Sequence, residues 1–63
     1  MEGKVMEVKV GDTIKIIDME DEPDYAGRIG EVEFIDSLNH IHGTWGGCAT
    51  IPEVDSFIVI KEA

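Results

Sequence analysis

The chain has 63 residues, 14 acidic against five basic, with a formal charge of −9 and one cysteine. A domain of this size buries only about 60% of the surface its unfolded form exposes, so a deep catalytic pocket would remove core that cannot be spared, and a non-enzymatic surface-binding module fits better. Five scattered basic residues supply no basic face for a duplex or an anionic membrane, a lone cysteine excludes an internal disulfide, and no apolar run reaches the ~20 residues of a membrane span.

Residues 1–9 mix charge with isolated apolar side chains and read as a partly flexible lead, with no apolar stretch of signal-peptide length. Residues 10–61 then form the folded domain, and residues 62–63 a tail. Val10-Gly11-Asp12 turns the chain. Thr13 to Asp18 places Ile14 and Ile16 on one side with Lys15 and Ile17 on the other, the period of a half-buried strand. Met19 to Gly27 is a polar connection without helical periodicity. Arg28 to Asp36 predicts the second strand, with Val32 and Phe34 on the side of Gly30, where the glycine lets the strand bend. Ser37-Leu38-Asn39 turns into a third strand, His40 to Trp45. Gly46-Gly47 is a two-residue hairpin signal leading to a fourth strand, Cys48 to Ile51, which Pro52 ends. Glu53 to Ser56 is a tight turn, and Phe57 to Lys61 the fifth strand. The candidate core is Val10, Ile14, Ile16, Val32, Phe34, Ile41, Ile51, Phe57 and Val59.

Five short antiparallel strands, a long acidic first loop and short later turns predict an all-β chain, a small SH3-like barrel. The segments GDTIKII, MEDEPDYAGRIGEVEFID and HIHGTWGGCATIPEVDSF resemble a family of short bacterial proteins of unknown function found in Firmicutes, often near phage or plasmid genes. That resemblance covers roughly Val10 to Ile60 and implies a bacterial source and an SH3-like barrel, with no activity to carry over. Gly11-Asp12 followed by Gly27, Gly30 and Val32 is more loosely similar to the KOW element of transcription and ribosomal proteins. Such modules carry basic loops, whereas the matching loop here is acidic.

Five carboxylates fall within seven residues between Asp18 and Asp24. Their spacing lacks the glycine and distal glutamate of an EF-hand, so they read as a solvated loop or as a contact for a basic protein partner. Asp21, Glu22 and Asp24 would supply charge, and Tyr25 or Trp45 an aromatic anchor. Trp45 also reads as core or edge packing beside a hairpin. His40 and His42 project from one strand face and are weak metal ligands at best. With Gly46-Gly47 as the turn, His42 pairs with Ile51 and Cys48 lies on the opposite face, which argues against a zinc site and leaves Cys48 a structural thiol. No cofactor is expected. The expected function is a cytoplasmic binding module that meets a basic partner through loop 18–25. The alternatives are a KOW-like nucleic-acid or ribosome contact using Lys9, Lys15 and Arg28, and weak metal binding by His40 and His42. Oligomeric state stays open, since Ile17 or Ile58 facing outward could pair with a second copy.

Overall fold

Alternation of Ile14 and Ile16 with Lys15 and Ile17 sets the central strand, β1 (Thr13–Asp18), and both inward isoleucines are fully buried. The computed structural model describes residues 8–63, and the reading of residues 1–7 as a flexible lead lies outside them. β1 pairs antiparallel with β2 (Ile29–Ile35) on one side and β4 (Ser56–Lys61) on the other, and β2 pairs antiparallel with β3 (Ile41–Gly43). The sheet order is therefore β3-β2-β1-β4. The fold is all-β, and the one helical piece among the described residues is the 3-10 turn Pro23–Tyr25.

Ile14 lies opposite Gly30 and Val59, and Ile16 opposite Phe57, so side chains of β1 and β4 meet on one face beside the bare backbone of Gly30. Val32, Ile41, Met19 and Trp45 complete the buried cluster, with Val8, Tyr25, Ile35, Cys48, Phe57 and Val59 packed around it. Each fully buried isoleucine contributes roughly 1.5–3 kcal/mol. Val8 belongs to this shell, so the packed domain begins before Val10.

Trp45 is 3% exposed, and two glycines make room for it. A Cβ on Gly30 would stand 2.9 Å from the indole Cε3 and 2.8 Å from the Trp45 nitrogen, while one on Gly43 would overlap the indole ring and the Glu31 carbonyl oxygen. These glycines permit close approach of a large ring as well as strand bending. The indole Nε1 donates to the Cys48 carbonyl at 2.9 Å, which satisfies the one polar atom the side chain brings inside.

Three expectations are corrected. Val10 is 57% exposed because it sits in the turn before β1, and Phe34 is 52% exposed although it follows Val32 by two. Val32 pairs with Gly43 but Phe34 with His42, so one extra residue, Glu33, is inserted in β2. That bulge re-aims the strand. Phe34 turns outward and Ile35 inward. The predicted fourth strand, Cys48 to Ile51, is reduced to one bridge between Ile41 and Thr50. The chain therefore returns through a longer loop over residues 44–49, and the two-residue hairpin with His42 opposite Ile51 does not form. A fifth strand is absent from the described sheet.

Two aspartates tie the loops to this frame. Asp12, almost completely buried, accepts the Lys9 N–H (2.8 Å) and the Ala63 N–H (2.8 Å) on separate carboxylate oxygens. Those bonds, Ala63 first and then Lys9, hold its carboxyl below the usual 3.8. Asp55 likewise accepts the Glu20 N–H (2.9 Å) and the Ile51 N–H (2.8 Å). Thr50 is fully buried and its hydroxyl has no hydrogen-bond partner.

Three stability measurements follow from this packing, all read as urea midpoints. Gly43→Ala should destabilise by about 1–3 kcal/mol through overpacking against Trp45. Gly47→Ala, where a Cβ meets nothing within 4 Å, should be neutral or gain up to about 1 kcal/mol. Thr50→Val, which keeps the shape and removes the orphan hydroxyl, should gain about 1 kcal/mol.

Candidate functional site

The acidic loop is a chain of turns held by its own backbone. Glu22 N–H donates to the Met19 carbonyl (3.1 Å), Tyr25 N–H to Glu22 (3.0 Å), Ala26 N–H to Pro23 (3.2 Å) and Arg28 N–H to Tyr25 (3.0 Å). Pro23 starts the 3-10 turn with its φ already set, and Gly27, at φ 91°, takes the left-handed conformation that returns the chain to β1. Gly27 N–H donates to the Ile16 carbonyl at 2.7 Å, and Ile16 N–H to the Arg28 carbonyl at 2.8 Å. Glu22 precedes the 3-10 turn without capping it. Its carboxylate is left facing outward.

Where this loop meets the 48–55 segment there is a cleft of about 280 Å³, lined by Met19, Asp21, Glu22, Cys48, Ala49, Ile51 and Asp55. Met19, Ala49, Ile51 and the half-buried Cys48 give it an apolar interior, and Asp21 and Glu22 are exposed beside it. Asp55 joins the two walls, since its two oxygens hold one backbone amide from each. Its charge is thus committed to the frame, and Asp21 and Glu22 supply the charge open to an incoming group.

The remaining predicted site residues lie elsewhere. Asp24 is exposed but outside the cleft. Tyr25 is half-buried, with the Arg28 guanidinium carbon 4.0 Å from its ring centroid, and its ring packs so close to Gly46 that a Cβ there would stand 2.7 Å from Cε2. Trp45 belongs to the core, so it cannot serve as an exposed anchor. Arg28 also donates to the Trp45 carbonyl at 2.7 Å, which commits the guanidinium to the fold. Lys15 lies on the outer sheet face between Ile29 and Ile58. The cleft residues Met19, Cys48, Ala49 and Ile51 were not legible as a set, because their segments are distant in sequence and are joined by Asp55 and by packing on the core. An aspartate in a turn, a residue type that often accepts backbone amides, was the available signal.

His40 and His42 do not share a strand face, because His40 precedes β3 and belongs to the turn. Asp36 organises that turn. One of its oxygens accepts the Leu38 N–H (2.9 Å) and the His40 N–H (3.0 Å), and the other lies 2.8 Å from His42 Nε2. The His42 ring stacks on Phe34, with centroids 4.2 Å apart and planes 5° from parallel. Among the described residues no group of three or more His, Cys, Asp or Glu side chains is arranged to hold a metal ion, and no helix is long and apolar enough to cross a membrane.

No protein-family model, curated protein or solved structure matches the chain.

The His42 contact, followed by the His40 amide, lowers the Asp36 carboxyl from 3.8 to about 2. Because the folded value lies below the unfolded one, the stabilisation is complete above about pH 4 and is lost as pH falls through about 2. Asp36→Asn should therefore lower the urea midpoint at pH 7, and its gap from the parent chain should narrow steadily toward pH 2. A gap independent of pH would show that the carboxylate charge contributes nothing.

Proposed function

We propose that the chain is a non-enzymatic binding module of SH3-like build that receives a lysine or arginine side chain of a protein partner in the cleft between the acidic loop and residues 48–55. The observation that carries this reading is the pairing of an apolar interior with two uncommitted carboxylates at its edge. A long basic side chain has matching halves. Its methylene stem packs on Met19, Ala49 and Ile51, and its head meets Asp21 and Glu22. About 280 Å³ is at the small end of ligand sites, which suits one side chain better than a cofactor. The formal charge of −9 draws a basic partner from a distance. Placement of β1 between β2 and the last strand supports the SH3-like reading of the fold.

The probe is an acetylated, amidated Gly-Arg-Gly peptide or its lysine counterpart, titrated into the full chain while backbone amide resonances are followed. Shifts should concentrate at residues 19–22 and 48–51 and weaken as salt rises. Asp21→Asn/Glu22→Gln should reduce affinity about tenfold or more, whereas Asp24→Asn should change little. Equal affinity for the double variant and the parent chain would refute the cleft as the binding site.

A further inference from the structure

The cleft between the acidic loop and residues 48–55 is larger than one basic side chain. A water takes up about 30 Å³ in the liquid, so a cleft of about 280 Å³ holds roughly nine water-sized groups. A lysine or arginine whose head meets Asp21 and Glu22 at the edge fills only part of that space, because its stem is about three or four methylenes long. The remainder is apolar. Met19 is 2% exposed and belongs to the core cluster, Cys48 packs against that cluster, and Ala49 and Ile51 are half-buried.

The walls are set before anything binds. Thr50 and Ile41 exchange two backbone hydrogen bonds of 2.8 Å, and the Asp55 carboxylate holds the Ile51 amide on one wall and the Glu20 amide on the other. A cleft fixed in this way is preformed, so the space beside a bound basic stem stays filled with water. Water held against Met19, Ala49 and Ile51 finds few polar partners, and an apolar group that displaces it gains affinity.

Charge decides what kind of group that is. The exposed carboxylates of the cleft, Asp21 and Glu22, both belong to the acidic loop. The facing stretch, Cys-Ala-Thr-Ile at 48–51, carries no charge, and both oxygens of Asp55 are engaged by backbone amides. A second basic head brought to the 48–51 side would lose water without gaining an acceptor, whereas an aliphatic side chain loses nothing there. In an extended peptide the side chains of residues i and i+2 point the same way, about 7 Å apart. One of them can meet the carboxylates while the other enters the apolar part.

We infer that the partner's binding element is a two-residue motif, a lysine or arginine separated by one residue from a leucine, isoleucine or methionine. The basic head sits at Asp21 and Glu22, and the aliphatic side chain fills the space between Met19 and Ile51. This inference rests on the reading of the cleft as a receptor for a basic side chain, and it adds the apolar half of the specificity.

The test is titration of the full chain with acetylated, amidated peptides, followed by backbone amide resonances. The peptides are Gly-Gly-Arg, Leu-Gly-Arg, Arg-Gly-Leu, Arg-Gly-Arg and Leu-Gly-Gln. All that bind should shift residues 19–22 and 48–51, and the better of the two leucine–arginine peptides should bind about tenfold or more tighter than Gly-Gly-Arg. Ala49→Leu, which fills the apolar part from the protein side, should shrink that ratio to within about threefold. Equal affinity of Gly-Gly-Arg and both leucine–arginine peptides for the parent chain overturns the motif and leaves the basic-side-chain cleft standing. An equal gain from Arg-Gly-Arg, or equal binding of Leu-Gly-Gln, also overturns it. If no peptide shifts these residues, the cleft reading falls and the motif with it.

Discussion

Seating the Trp45 indole is the constraint on which the rest of the fold depends. A 63-residue chain has few large side chains to exclude water, and this one ring lies against two strands and a loop. It fits because Gly30 and Gly43 present bare backbone to it. It stays satisfied because the indole N–H reaches the Cys48 carbonyl, and Arg28 fixes the Trp45 backbone from the opposite side of the loop. The 44–49 loop is thereby ordered without a full hairpin, and its last residues become one wall of the cleft. The tryptophan is a structural cause of the site, not a member of it.

Three aspartates do for the loops what the indole does for the core. Asp12, Asp36 and Asp55 each accept two backbone amides, which gives polar groups in irregular segments the partners that a ladder would otherwise provide. The strong acidity of the chain therefore has two components. Some carboxylates are internal fasteners, and others, Asp21 and Glu22 among them, are exposed to solvent. Composition alone merges these two populations, and only geometry separates them.

What could be read from the sequence follows the reach of each signal. β1 was legible to the residue because Thr13 to Ile16 alternate and Asp18 follows as a polar stop. β4 was legible to within one residue as a short apolar run, Phe57 to Ile60, that follows a turn. β2 was placed correctly as a strand, yet the side of Phe34 was misread, since one inserted residue at Glu33 inverts everything after it. The Gly46-Gly47 signal pointed to a tight turn, but packing of Trp45 drew the return strand to a different register. Asp21 and Glu22, which lie at the edge of the cleft, were singled out from charge density alone. Their apolar companions were not, because Met19 looked like loop and Ile51 like strand core until Asp55 joined them. Tyr25 and Arg28, assigned to competing binding hypotheses, are partners of each other.

The Asp12 carboxylate has a topological effect beyond its two hydrogen bonds. Its partners, Lys9 and Ala63, stand at opposite ends of the described chain, and the Ala63 bond spans 51 positions. A noncovalent clasp over so long a loop cannot be maintained by local structure, because the closure entropy is recovered only when the intervening sheet is in place. Through one carboxylate, the segment before β1 and the residue after β4 are tied to the sheet that lies between them in sequence, so each bond serves as a local reporter of whether that sheet is formed.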